Sequence, residues 1–144
     1  MKILYRPSSM ITKDDIEEIR NKAMGPTRPG ERNLLRSPQR VVFLHAIDIV
    51  DLVVATIQDA RARGFKTNRV MFSWGIEEIR QTMYQRFFIS EHNYQHLETD
   101  EIYRACAVLH DLNLIEKKQK AGVVCLVLSE RLEYLVSGEH NEDL

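Results

Sequence analysis

"LHDLNLIEKKQKAGVVCLVLS", residues 109–129, has the pattern of a helix end followed by a β-hairpin. Leu109 and Leu112 continue a helical stripe, and Asn113 tolerates the left-handed backbone that closes a helix. "LIEKK" (114–118) then reads as a strand, Gln119 to Gly122 as a turn, and "VVCLVLS" (123–129) as the returning apolar strand. Lys117, Lys118 and Lys120 crown this hairpin, a density of positive charge suited to phosphates. The approach to it has the opposite sign. From Glu91 to Asp111 the acids are Glu91, Glu98, Asp100, Glu101 and Asp111, and the one firm base is Arg104. His92, His96 and His110 add charge only at lower pH.

Upstream of the hairpin, Thr99 is a helix cap. The helix runs from Asp100 to about Leu112, with Ile102, Cys106 and Leu109 inward. "SEHNYQHL" (90–97) reads as a short helix, and Ser73 as the cap of "WGIEEIRQTMYQRFF", where Ile76, Ile79, Met83 and Phe87 keep helical spacing. "RVMF" (69–72) is a short strand. Downstream, "SERLEYLVS" closes with a helix, and "GEHNEDL" is an acidic tail expected to be disordered.

The N-terminal part differs in character. "KILY" reads as a strand that Pro7 ends. Thr12 caps "KDDIEEIRNKAM", with Asp15 in a capping-box position and Ile16, Ile19 and Ala23 on one face. "GPTRPGERNLLRSPQR" (25–40) is a linker with three prolines, two glycines and four arginines. Ser37-Pro38 starts a helix that Gly64 stops, about 39 Å long at 1.5 Å per residue. Thirteen of the 17 residues from Val41 to Ile57 are apolar, which demands cover on nearly every side. His45, Asp48 and Asp51 interrupt the run, so it falls short of the usual spanning length and reads as a buried helix. The two aspartates fit a polar seam, pairing with arginines across a dimer, or a narrow solvent stripe.

The totals set bounds. The chain has 144 residues, 44% hydrophobic and 28% charged, with a formal net charge of −1. That describes a globular protein and excludes a bulk polycation, so nucleic-acid binding needs a local basic patch. Two cysteines make no disulfide framework. "MKILYRPSSM" is too short and polar for a secretory signal, which leads to a cytoplasmic expectation with no membrane partner. Three regions follow: 1–65, the N-terminal elements, arginine linker and long helix; 66–137, the compact domain; and 138–144, the tail.

Residues 74 to 137 read helix, short helix, helix, strand, turn, strand, helix. With "AVLHDLNLIEKKQKAGVVCLVLSER" (107–131) at its centre, this pattern resembles the winged helix-turn-helix superfamily as found in bacterial or phage transcriptional regulators. The resemblance covers nearly half the chain. It departs at Asn113, where the family usually has glycine. It implies a mostly α (α+β) fold, with the helix before the hairpin entering the major groove and the hairpin, or wing, touching the backbone. Carried onto this chain, the groove-facing residues are Thr99, Asp100, Glu101, Tyr103, Arg104 and Ala107. The wing contacts are Lys117, Lys118 and Lys120, and Arg28, Arg32 and Arg36 form a basic arm.

Two functions fit. The first is a dimeric regulator of double-stranded DNA, joined through Val42, Ile49 and Val53 of the long helix. The second is a winged-helix protein–protein interaction module, such as an adaptor, assembly subunit or inhibitor on a larger partner, without DNA. The acidic helix favours the latter, and fold alone does not choose. His92 and His96 have two-ligand spacing but no accompanying zinc motif. Cys106 and Cys125 read as buried small hydrophobes, with a redox-sensing pair as the alternative. No phosphate-binding glycine loop, nucleophile elbow or dinucleotide fingerprint occurs. The expectation is a non-enzyme without cofactor or metal.

Overall fold

The computed structural model describes residues 12–24, 38–86 and 97–137. The arm carrying Arg28, Arg32 and Arg36, the strand expected at 2–5, the tail, and the segment 87–96 with His92 and His96 lie outside them.

The described elements are α1 (Lys13–Met24), α2 (Pro38–Ala62), β1 (Arg69–Phe72), α3 (Ile76–Arg86), α4 (Thr99–Asp111), β2 (Ile115–Lys120), β3 (Val123–Leu128), a 3-10 turn (Glu130–Leu132) and α5 (Glu133–Ser137). The fold is α+β and mostly helical, with one antiparallel sheet ordered β1-β3-β2.

The long apolar helix is the axis of the fold. α1, α3, α4, α5, β1 and β3 all pack on α2. Val42, Ile49 and Val53, expected at a dimer interface, are 5%, 0% and 0% exposed within the single chain. They are enclosed by the chain's own elements and offer no surface to a partner. The stretch Arg40–Ala62 is long and apolar enough to cross a membrane by length and composition, contrary to the expectation from its polar residues. In the structure most of it is buried among the other elements of the chain.

The odd polar residues of α2 form a seam inside the chain. His45, Asp48 and Asp51 recur every three residues and are all buried. Arg86 of α3 donates to Asp51 Oδ2 from Nε at 3.1 Å and lies 3.0 Å away through Nη2. His45 Nε2 is 3.4 Å from Glu101 Oε1 of α4.

α1 is fastened at both ends of its first turns. Thr12 Oγ1 accepts from the Asp15 N–H at 3.1 Å, the expected cap. The Asp15 carboxylate does not turn back to complete a capping box. It accepts from Tyr134 Oη at 3.0 Å and from Arg131 at 3.2 Å, and Arg131 also binds Glu18. Burial, and then the bond to Asp15, push the Tyr134 hydroxyl up to about 12 from the ordinary 10.0. The proton is therefore held more tightly in the folded state. The stability this bond gives is complete below pH 10 and lost as pH rises toward 12. Absorbance titration at alkaline pH should show one tyrosine ionising last, and Tyr134→Phe should remove that phase.

Local signals define the ends of α4 and the hairpin. Asn113 has φ of 60°. Its N–H donates to His110 O and the Leu114 N–H to Leu109 O, each at 3.0 Å, the paired bonds of a Schellman stop. Ala121 and Gly122, φ 51° and 84°, form the two-residue turn whose positive angles suit a tight hairpin. The start of α4 differs from expectation: Glu98 is the N-cap, and its N–H donates to Glu101 Oε1 at 3.2 Å. Ser73 caps nothing either, since α3 begins at Ile76 after the turn Ser73-Trp74-Gly75.

Candidate functional site

α4 presents one exposed stripe. Ile102, Ala105, Cys106 and Leu109 face the core, and Thr99, Asp100, Tyr103, Arg104 and Ala107 are exposed. Five of the six residues expected to read a groove thus line one side of the helix at three-to-four-residue spacing. Glu101 does not join them. Its side chain is 25% exposed and is engaged by the Glu98 amide and His45, so it is a structural clamp.

Part of the acidity of the helix is engaged within the chain. Glu98 is the cap residue and Glu101 points inward. Asp111 lies 3.7 Å from Lys22 of α1. Asp100 remains outward in the first turn, where the helix dipole favours a carboxylate. The exposed stripe is therefore far less negative than the composition of the segment.

The hairpin joins this stripe at one point. Lys117 Nζ sits 4.7 Å from the centre of the Tyr103 ring, a cation–π contact, and donates to Gln119 Oε1 at 3.3 Å. Tyr103 and Lys117 thereby make α4 and β2 a continuous surface. The three lysines are not one patch, however. Lys117 pairs with Leu126, and Lys118 and Lys120 pair with Cys125 and Val123. Cross-strand partners share a face of a sheet. Lys117 therefore lies on the α4 side, and Lys118 and Lys120 on the outer side.

The outer face has no signal in the sequence pattern. Met71, 60% exposed, pairs with Cys125, and Arg69 pairs with Val127. Among the described residues, an apolar centre of Met71, Val123, Cys125 and Val127 is rimmed by Arg69, Lys118 and Lys120, with Glu116 the single acid on this face of the sheet. Cys125 is half-buried there, while Cys106 is fully buried and its thiol is pushed up to about 12 by burial, against the opposing pull of Lys117. The two thiols lie on opposite sides of β3, so they are not a poised redox pair. A thiol reagent should titrate one cysteine in the native protein and two after denaturation. Cys125→Ser should abolish the native reaction.

An open groove of about 980 Å³ at the C-terminal end of α2 is lined by Phe65, Lys66, Asn68 and Glu130 among others. Arg61 within it is committed to Glu133 at 2.6 Å and to Thr67 O at 2.9 Å, which leaves Lys66 and Glu130, of opposite sign, as the other charged groups of its lining. Among the described residues no group of three His, Cys, Asp or Glu side chains is arranged to hold a metal ion. No family model, curated protein or solved structure matches this chain.

Proposed function

We propose that this chain is a winged-helix protein that binds double-stranded DNA and acts as a transcriptional regulator. α4 enters the major groove, and the β2–β3 hairpin is the wing that holds the flanking backbone. The observation that carries the reading is the union of the α4 stripe with Lys117 through Tyr103. It supports the reading because the major groove admits a helix or a β-ribbon, and a lysine beside the helix supplies the phosphate contact that the helix lacks. Antiparallel strands ordered β1-β3-β2, with α3 and α4 between β1 and β2, agree with the winged pattern seen in the sequence. Arg104 is the residue best suited to a base edge, by bidentate donation to guanine. The basic arm with Arg28, Arg32 and Arg36 adds phosphate or minor-groove contacts. A homodimer on a palindromic site would use a surface other than Val42, Ile49 and Val53.

Selection from a random duplex library, followed by anisotropy at increasing salt, tests this. The expected result is a recovered sequence whose affinity falls steeply with salt. Absence of salt-sensitive binding to any duplex would sink the proposal. Asp100 at the head of the stripe and a net charge of −1 favour a second reading, a protein-interaction module. Recovery of one stoichiometric protein partner after nuclease treatment, with no selected duplex, would support that alternative.

A further inference from the structure

Trp74 is the only tryptophan in the chain and is 80% exposed. An indole carries one of the largest apolar surfaces of any side chain, and one held out to solvent on a fixed frame has the character of a partner's anchor. The frame here is fixed. The Gly75 N–H donates to Phe72 O at 2.9 Å, and the Trp74 N–H donates to Glu78 Oε1 at 3.0 Å. Gly75 has φ of +70°, and a Cβ there would lie 2.7 Å from Gly122 O, so the turn is seated directly against the hairpin tip. β1 ends and β3 begins at this end of the sheet, so the turn that carries Trp74 meets the hairpin tip at Gly122, two residues from Lys120 in the chain. The nearby acids are occupied: Glu77 is bound by Arg80 at 2.9 Å, and Glu78 accepts from the Trp74 amide. The charge around the tip is that of Lys118 and Lys120.

We propose that Trp74 is a DNA contact of the same interface. Its ring packs on the deoxyribose of the backbone beside the phosphates held by the hairpin lysines. This rests on the duplex-binding reading above. Sugar rings are the apolar component of an anionic backbone, and an indole next to lysines matches both components. The indole N–H also gives a phosphate oxygen a donor. Because the turn is already held, little ordering is required on binding.

Tryptophan emission reports on this residue alone. Wild-type protein is titrated with the selected duplex, and acrylamide quenching is compared free and bound. Affinities of Trp74→Ala and Trp74→Phe are measured in parallel, with thermal midpoints as a fold control. The expected result is several-fold protection from acrylamide in the complex, a loss of about 10-fold in affinity for W74A, and recovery of most of it in W74F. Midpoints should be equal, because the side chain is exposed. A complex in which acrylamide still reaches Trp74 freely, or W74A binding as tightly as wild type, overturns the inference and leaves the duplex reading standing. Wild-type protein that binds no duplex removes both.

Discussion

Replacing Lys117, Lys118 and Lys120 together by alanine should weaken duplex binding on the order of 100-fold at moderate salt and flatten the salt dependence by about 2–3 in log–log slope. Each lysine that neutralises a phosphate releases about one counterion, and removing all three charges at once gives a change of this size. The single variants should not be equal. Lys117 lies on the α4 side of β2, over the ring of Tyr103, so Lys117→Ala removes a charge and also releases Tyr103. Lys118 pairs with Cys125 on the outer face and should matter least of the three. Anisotropy titrations across a salt series measure both quantities. An unchanged slope in the triple variant would mean that the hairpin does not touch the backbone. Folding should be little affected, since Lys118 and Lys120 are exposed and Lys117 is partly so.

Ile49→Ala should lower stability by about 2–5 kcal/mol, the range for deleting a fully buried aliphatic side chain from a packed core. In a domain of this size that corresponds to a fall of roughly 10 °C in thermal midpoint. Ile49 is 0% exposed and lies on α2, the helix on which α1, α3, α4 and α5 all pack, so the cavity has little room to collapse. The origin of the loss is informative. If Ile49 were covered by a second chain, the variant would instead dissociate an oligomer, and its midpoint would rise steeply with protein concentration. Enclosure by the chain itself predicts that the difference from wild type is the same at low and high concentration. Chemical denaturation with light scattering at both concentrations distinguishes these outcomes.

Much of the hairpin is legible in sequence because its signals are local. Asn113 at the helix end and Ala121-Gly122 at the tip each need a left-handed backbone, and Asn and Gly in those positions advertise it. The stripe of α4 is legible for a similar reason, since a period of 3.6 sorts Ile102, Cys106 and Leu109 from Tyr103, Arg104 and Ala107. The facing of β3 is not legible. Val123 to Leu128 is apolar at every position, so alternation carries no information, and only the register with β2 and β1 puts Cys125 on the outer face. The cover of α2 is hidden too. A helix apolar on most sides states that it is enclosed but not by what, and here six described elements of its own chain do it: α1, α3, α4, α5, β1 and β3. Glu101 reads as a surface acid because its engagement depends on His45, 56 positions earlier in the chain. By spacing alone, Trp74 falls into a helix with Ile76, Ile79 and Met83. The turn that holds it out depends on Gly75 meeting Gly122, a contact between distant segments.

On the proposed function, the exposed stripe of α4 and the β2–β3 hairpin act as one DNA-binding surface. Amide chemical-shift mapping with the selected duplex tests it most directly. Perturbations should cluster at Thr99, Asp100, Tyr103, Arg104 and Ala107 and at Lys117 to Gly122, leaving α5 and the buried face of α2 unmoved. A complex whose perturbations spare both α4 and the hairpin would contradict the account.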